Sequence, residues 1–292
     1  MNFIQPSETS RVLNRVTGAE PSSIEGTLNA NGIVYLVNPA GIVFGPNSVI
    51  NVGALVAAAA TITDEDFLKG VDRFVLSNGS VSVEGLLRAK QAVHIIARYI
   101  KNLGRISCPD GIVTMTSGDR IYAKQQGTNL LVELPTGDNS SCDSVGIVNE
   151  GTVEGSRIVF SSGDIYALAL INRGKIKAEG GEVKLEGSEI VNEGSVDASS
   201  SKGKGGKIDF YGNEVINRGV VKAEGRTEGG RITLVGNERT AVQGYVTASG
   251  SAGGGEVNIG KGDRLRSSIT LVGEEGEIEA VSYTHLTLPT KA

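Results

Sequence analysis

The chain has few of the residue types on which many enzymes and small secreted domains depend. Among 292 residues there are two cysteines, two histidines, seven prolines and no tryptophan, and aromatic residues make up 4 %. Two cysteines do not make a disulfide framework, and two scattered histidines are too few for a typical zinc site. The composition therefore predicts neither a metalloenzyme nor any bound cofactor.

The net charge and the length of the hydrophobic runs argue against two further classes of protein. With 28 basic against 33 acidic residues the net charge is −5, which argues against the basic surface of a nucleic-acid-binding protein. The longest apolar run, residues 52–62, has eleven residues, whereas a membrane-spanning helix needs about 20. We therefore expect a chain that binds no nucleic acid and does not span a membrane. No signal-peptide pattern opens the sequence, so we expect the export signal to be missing from this fragment.

Glycine is abundant, at 41 of 292 residues, and it recurs with a period. Two markers repeat, mostly in steps of 20–25 residues: Asn-x-Gly at Asn102, Asn149, Asn172, Asn192 and Asn217, and Gly-Gly pairs beginning at Gly180, Gly205, Gly229 and Gly254. Two independent markers with one period indicate a solenoid.

Between the markers, apolar and polar residues alternate, which is typical of strands with one buried face. Alanine recurs four positions after the marker glycine, at Ala178, Ala198, Ala223 and Ala248. Short strands stacked at ~4.8 Å would line these residues into columns. The sequence thus predicts an all-β, right-handed parallel β-helix with coils of about 20–25 residues.

We interpret the marker residues as structural. Glycine or asparagine between strands can supply the positive φ of tight turns. Asparagines stacked at such turns can also bond from coil to coil through their carboxamides. We therefore predict a structural ladder, formed by Asn149, Asn172, Asn192 and Asn217.

The same register extends towards the N-terminus. Gly104 is followed by Ile106 and by Cys108, which occupies an alanine position and is predicted to be a small buried thiol. Gly79, 25 residues earlier, is followed by Val81 and Val83 and is assigned the same register.

Three segments depart from the repeat. Thr63 followed by three acidic residues predicts a short capped helix. Segment 124–145, which includes Cys142, breaks the rhythm and is predicted to be an extra-helical hairpin or loop. Residues 281–292 resemble a translated adaptor tail, with a genuine terminal strand as the alternative. We thus expect domains at 1–123 and 146–280, the second being a β-helical shaft.

The charged residues do not form an obvious catalytic site. Glu182 aligns with Lys207, Arg231 and Glu256 of later coils, and a column of mixed sign is typical of a solvated face. Glycoside cleavage needs converging carboxylates, and His94 lies in an apolar strand without catalytic partners. A non-enzyme is favoured. A β-helical polysaccharide lyase or hydrolase and a purely structural surface fibre remain alternatives.

The N-terminal third carries several linked strings: NFIQPS at 2–7, LNRV at 13–16, LVNPAGIVFG at 36–45 and VGALVA at 52–57. In this order they resemble the haemagglutination-activity, or secretion, domain of the two-partner secretion (filamentous-haemagglutinin-like) family. The resemblance implies an adhesin-like exoprotein, secreted or on the cell surface. It also implies a partner, an outer-membrane β-barrel transporter with POTRA domains. A host or neighbour-cell surface, or a carbohydrate, would be a further ligand.

One motif of that family can be placed residue by residue. The family's NPNG reads Asn38-Pro39-Ala40-Gly41 here, so the resemblance implies transporter recognition through Asn38, Pro39 and Gly41; the second motif, NPNL, is absent from the sequence. Taken alone, Asn-Pro-x-Gly is a good β-turn. We expect the carboxamide of Asn38 to point outward from this turn, where a receptor could bond it.

Overall fold

The structure is a computed structural model. It describes residues 1–118, 121–126, 129–133, 144–162, 168–261, 268–271 and 278–279. The predictions made for Cys142 and for the tail 281–292 lie outside these residues.

The described residues form 29 strands and one short helix, α1 (Asp64–Lys69). The strands are β1 (Asn2–Phe3), β2 (Arg11–Arg15), β3 (Ser22–Ile24), β4 (Thr27–Ala30), β5 (Ile33–Val37), β6 (Ile42–Phe44), β7 (Val49–Ala58), β8 (Ala60–Thr61), β9 (Arg73–Leu76), β10 (Ser80–Val83), β11 (Leu86–Ile96), β12 (Tyr99–Asn102), β13 (Arg105–Ser117), β14 (Ile121–Gln126), β15 (Asn129–Glu133), β16 (Ser144–Asn149), β17 (Thr152–Ser162), β18 (Leu168–Asn172), β19 (Lys175–Lys177), β20 (Glu182–Glu186), β21 (Glu189–Asn192), β22 (Ser195–Asp197), β23 (Lys207–Asn217), β24 (Val220–Lys222), β25 (Arg231–Val242), β26 (Tyr245–Thr247), β27 (Glu256–Lys261), β28 (Ser268–Leu271) and β29 (Ile278–Glu279).

Most strands pair in parallel with the equivalent strands of the coils before and after, and they build three faces. The first face runs from β3 through β6, β10, β12, β16, β18 and β21 to β28. The second runs from β1 through β4, β19, β22 and β24 to β29. The third runs from β2 through β5 and β20 to β27. Long strands such as β11, β13 and β17 bend across two faces. The predicted parallel β-helix is confirmed.

The core is a set of aliphatic columns inside the coils. On the second face Ile176, Val196, Val221 and Val246 are stacked in register and fully buried. The four alanines of the predicted column are also buried. Cys108 is completely buried, as predicted, and burial raises the pKa of its thiol to about 11. A high thiol pKa is typical of an unreactive cysteine.

The glycines of the Asn-x-Gly markers are needed for a different reason from the predicted one. Positive φ among the described glycines occurs at Gly41, Gly70, Gly118 and Gly180, and therefore at no Asn-x-Gly glycine. Instead, a Cβ atom added to Gly194 would overlap the carbonyl oxygen of Gly174 in the preceding coil. The glycine lets successive coils approach closely at this corner. The positive-φ interpretation is therefore wrong for the Asn-x-Gly glycines, whereas Gly180, the first glycine of a Gly-Gly pair, has a φ of 62°.

The register assigned to Gly79 is also wrong. Val81 pairs with Ile100 on the first face, whereas the residue that pairs with Ile106 on the second face is Leu87. The glycine stacked beneath Gly104 is accordingly Gly85, 19 residues earlier. In the coil from Gly85 to Gly104, β11 runs without interruption from the second face to the third. In a later coil, residues 198–206 separate the strands of these two faces. The earlier coil is therefore shorter.

An excursion leaves the β-helix between β7 and β10, and we call residues 59–78 the excursion. Its strands β8 and β9 join β14 and β15 in a four-stranded sheet with antiparallel pairs. The antiparallel pair of β14 and β15 is an extra-helical hairpin, and it begins at Ile121, three residues before the predicted segment 124–145. Thr63 caps α1 by accepting a hydrogen bond from the Asp66 backbone at 3.0 Å, as predicted. Phe74 and Ile62 pack onto the outer side of the third face. Within the described ranges, no helix has the length and apolarity to cross a bilayer.

Candidate recognition turn

The Asn-Pro-Ala-Gly segment forms a tight turn between β5 and β6. The Gly41 N–H donates to the Asn38 carbonyl oxygen at 3.0 Å, and the Ala40 N–H donates to the Asn38 side-chain oxygen Oδ1 at 2.9 Å. Gly41 has a φ of 121°, and an added Cβ atom would lie 2.8 Å from the Ser80 carbonyl oxygen. Glycine is therefore required at this position.

The carboxamide of Asn38 points inward, and its expected outward direction is wrong for the folded state. Asn38 is 1 % exposed. Its nitrogen Nδ2 donates to the Glu20 carbonyl oxygen at 3.0 Å and to Ser22 Oγ at 2.9 Å. The chain that leads into β3 thus folds over the turn. Of the three residues implied by the resemblance, Asn38 and Gly41 are buried and Pro39 is half-buried.

A second group of asparagines lies in the core at the end of the first-face strands. The side-chain nitrogen of each of the first four donates to the side-chain oxygen of the equivalent asparagine in the next coil, at 2.6–2.7 Å, through Asn102, Asn149, Asn172, Asn192 and Asn217. The Asn217 nitrogen donates to the Gly219 carbonyl oxygen at 3.2 Å. All five are fully buried. The ladder therefore has one more member, Asn102, than the four residues predicted from the sequence. The Asn-x-Gly marker at Asn102 was the signal for it.

Charged residues form ladders outside the core. Arg173 lies between Glu150 and Glu193, at 3.4 and 2.9 Å, and Arg218 bonds Glu193 at 3.2 Å. A hydrogen bond from Arg173 lowers the pKa of Glu193. These groups are solvent-exposed, so each pair adds little stability.

The Glu182 column has the alignment predicted from the sequence. Glu182 pairs in register with Lys207, and Lys207 with Arg231. Arg231 in turn bonds Glu256 at 2.7 Å.

A buried polar cluster joins the excursion to the β-helix, and sequence reasoning missed it. The Tyr35 hydroxyl donates to the Asp72 carboxylate at 3.0 Å, and Arg11 Nη1 lies 3.6 Å from Asp72 Oδ1. The Arg11 guanidinium also lies 4.7 Å from the centre of the Phe67 ring. Burial raises the pKa of Asp72 and that of Tyr35. Because these residues are 24 to 61 positions apart, no local spacing could reveal them.

His94 lies on the third face and is buried. Its Nδ1 is 2.8 Å from Thr114 Oγ1, and burial lowers its pKa to about 4, so the ring is neutral at pH 7. Within the part of the chain that the structure describes, no three His, Cys, Asp or Glu side chains are grouped so that they could hold a metal ion.

The stacked coils of parallel strands, with a side excursion and an Asn-Pro-x-Gly turn between β5 and β6, define a β-solenoid protein. The profile of the TPS secretion domain family matches residues 1–192, and the chain belongs to this family of two-partner secretion domains. The match covers the predicted secretion domain and the first coils of the predicted shaft.

Relatives agree with this assignment. The chain is 29 % identical over 173 residues to the heme/hemopexin-binding protein of Haemophilus influenzae strain Rd, covering 56 % of this chain and 19 % of that protein. A second Haemophilus influenzae protein of that description is 46 % identical over 57 residues, covering 20 % of this chain and 6 % of the relative. The chain thus spans at most a fifth of the length of these curated relatives.

A solved structure has a similar fold. The crystal structure of the HMW1 secretion domain from Haemophilus influenzae superposes with a TM-score of 0.74 at 21 % identity, covering 95 % of this chain and 88 % of that one.

Proposed function

We propose that this chain is the export-directing part of a non-catalytic, adhesin-like exoprotein that is secreted or displayed on the cell surface. Its partner is an outer-membrane β-barrel transporter with periplasmic POTRA domains. The observation that carries the proposal is the family match over residues 1–192, which includes the Asn38–Gly41 turn. The outward carboxylates support a non-catalytic role, because several are paired with arginine or lysine of a neighbouring coil.

We further propose that the transporter recognises Asn38, Pro39 and Gly41. In the folded chain both hydrogens of the Asn38 carboxamide are donated to Glu20 and Ser22, and its oxygen accepts from Ala40. No donor is left for a receptor. Recognition therefore takes place while residues 20–22 are not packed on the turn.

The test is export from cells that contain a functional transporter, measured as extracellular yield beside the melting midpoint of each purified variant. Asn38→Ala removes the carboxamide and should lower the yield at least about tenfold, as loss of a charged or buried hydrogen bond does for binding. Ser22→Ala breaks one of the same bonds, keeps the carboxamide and should be exported.

A second control separates recognition from folding. Asn192→Ala breaks two buried bonds of the asparagine ladder, far from the turn. Its melting midpoint should fall at least as much as that of Asn38→Ala, with export largely kept. Full export of Asn38→Ala, or a loss of export that follows melting midpoint across all three variants, would overturn the recognition role.

A further inference from the structure

Three loops of successive coils stack into a wall beside the third face. Residues 199–205, 224–229 and 249–254 each leave the β-helix after an alanine of the alanine column and return to it at a glycine. A backbone hydrogen bond from that glycine N–H to that alanine carbonyl oxygen, at 2.6–2.7 Å, closes each loop. We call these three loops the fin.

Backbone hydrogen bonds also join the loops of the fin to one another. The Gly205 N–H donates to the Glu228 carbonyl oxygen at 2.9 Å, and the Gly229 N–H donates to the Gly253 carbonyl oxygen at 3.0 Å. The fin therefore continues the coil-to-coil pairing of the β-helix. A groove beside it is formed in advance, which lowers the ordering cost of binding a ligand.

A groove of about 730 Å³ lies between the fin and the third face and crosses four coils. Its size is that of a ligand site, for which about 300–1,000 Å³ is usual. The lining residues in the described part of the chain are glycines and five polar or charged residues, namely Lys204, Lys207, Arg231, Glu256 and Asn258. Without an aromatic or aliphatic side chain among them, the groove does not suit a lipid or an aromatic ligand.

The charges of the groove nearly cancel. Its three basic side chains are paired with four carboxylates: Lys204 with Glu228, Lys207 with Glu182 and Asp209, and Arg231 with Glu256. A polyanion or a polycation in the groove would therefore meet repulsion as well as attraction. The matching ligand is uncharged and carries both hydrogen-bond donors and acceptors.

The backbone of the groove does not suit an extended peptide. Gly206 and Gly230 line the groove, and each uses both of its backbone groups within the β-helix: the N–H bonds an alanine of its own coil, and the carbonyl oxygen accepts from the next coil at 2.9 Å. A peptide that adds as a strand needs a row of unpaired backbone groups. Recognition in this groove therefore comes from side chains.

One acceptor beside the groove has no donor. Asp209 lies on the outer side of the third face, as Lys207 does, because Ile208 and Phe210 point into the core. Its Oδ2 bonds the Lys207 ammonium, and the residue is 2 % exposed. Its Oδ1 is buried and has no hydrogen-bond partner among the described residues. Such acceptors are rare in folded proteins, and a ligand hydroxyl that entered as Lys207 moved aside would supply the donor.

We propose that the groove between the fin and the third face binds an uncharged, linear glycan. Its hydroxyl groups donate to Asp209 and Glu256 and accept from Lys207 and Arg231. The coils repeat at ~4.8 Å, which is about the length of one pyranose unit along an extended chain, so successive sugars meet successive coils. A role in attachment rests on the proposed function, because the groove must then be displayed outside the cell. The binding itself does not.

Binding is measured by isothermal titration calorimetry of the purified full chain with two neutral polysaccharides, hydroxyethylcellulose and galactomannan, and with the acidic polygalacturonate. At least one neutral polysaccharide should bind, and its association constant should not change when salt is added, since screening weakens only charge attraction. Absence of binding by both neutral polysaccharides, or binding of polygalacturonate with equal or greater affinity, would overturn the proposal.

Variants test whether the groove is the site. Arg231→Met removes the guanidinium from the floor and should lower the association constant about tenfold, as loss of a charged hydrogen bond does. The matched control is Arg218→Met, because Arg218 also bonds a glutamate of a neighbouring coil, Glu193 at 3.2 Å, but does not line the groove. It should bind as the unaltered chain does.

Both arginine pairs are exposed and add little stability, so both variants should keep the melting midpoint. An unchanged association constant in Arg231→Met, or an equal loss in Arg218→Met, would overturn the groove as the site. Because these measurements involve no export, their failure would leave the proposed function standing. Full export of Asn38→Ala would in turn leave the groove standing.

Discussion

Asn149 donates a hydrogen bond from its side-chain nitrogen to the side-chain oxygen of Asn172 at 2.7 Å, although 23 positions separate them. Every bond of the ladder runs the same way, from each coil to the next. In the low dielectric of the core, aligned bonds polarise one another. The ladder thus lets five polar side chains occupy a hydrophobic interior.

Interrupting the ladder should be costly. Asn172→Ala leaves the Asn149 nitrogen and the Asn192 oxygen buried without partners, at about 1–3 kcal/mol each. Denaturant unfolding of Asn172→Ala should show this loss. Replacement of the exposed Asn47 by alanine should change stability by less than about 0.5 kcal/mol. Similar effects of the two changes would contradict the structural role.

The first rung of the ladder predicts where a further asparagine is tolerated. The Asn102 oxygen is buried without a partner, and the residue in register beneath it is Val83. Val83→Asn can donate to this oxygen, whereas Val81→Asn, two residues away and equally buried, faces Ile100. We expect Val83→Asn to be the more stable by about 1–2 kcal/mol. Equal melting midpoints would count against this arrangement.

The alanine column limits side-chain size. Ala223→Leu should cost about 1–3 kcal/mol by overpacking. Lys222, the preceding residue, faces outward with its ammonium 5.7 Å from the centre of the Tyr245 ring. Lys222→Leu should therefore stay within about 0.5 kcal/mol. Thermal melts of the two variants provide the comparison, and a larger loss for Lys222→Leu would reverse the assignment of the inward face.

Close approach of the coils predicts a contrast between two glycines. Gly194→Ala would place a Cβ atom against the Gly174 carbonyl oxygen and should cost about 1–3 kcal/mol. Gly203 has open space around it and no positive φ. Gly203→Ala should be neutral or stabilising by up to about 1 kcal/mol, since alanine restricts the unfolded chain. The midpoints of urea unfolding of the two variants provide the comparison. Equal destabilisation by both substitutions would contradict the explanation that close approach of the coils requires glycine at position 194.

The buried histidine predicts a pH dependence of stability. Burial holds the pKa of His94 at about 4, below its ordinary value of 6.5. Between these pH values the unfolded chain binds a proton that the folded chain does not, so stability is full above pH 6.5 and is lost as the pH falls towards 4. The shift corresponds to roughly 3 kcal/mol. His94→Gln, which does not titrate, should lose correspondingly less stability between pH 7 and pH 4, measured by urea unfolding.

Features that repeat at a fixed step could be predicted from the sequence. The alanine column and the Glu182 alignment follow from one register, because stacking converts equal spacing into contact. The Thr63 cap was equally accessible, since an N-cap and its partner are three residues apart. Register was mistaken at Gly79 because the coil from Gly85 to Gly104 is shorter than the later ones.

Contacts without a period could not be predicted in this way. The Asn38 carboxamide turns inward because Glu20 and Ser22, 18 and 16 residues earlier, fold over it. The contact of Arg11 with Asp72 spans 61 residues and depends on how the excursion returns to the β-helix. Neither residue pair has a spacing that distinguishes it from any other.

The coil-to-coil pairing has a mechanical consequence. Strands lie across the axis of the β-helix, so the backbone hydrogen bonds run along it. A pull along the axis loads all boundaries between coils in series, and each boundary can yield separately because each coil contacts only its neighbours. Release of the coil between Gly194 and Gly219 frees 25 residues, or about 80–90 Å of extended chain. Under tension such a β-helix lengthens in steps of one coil, and each step absorbs work.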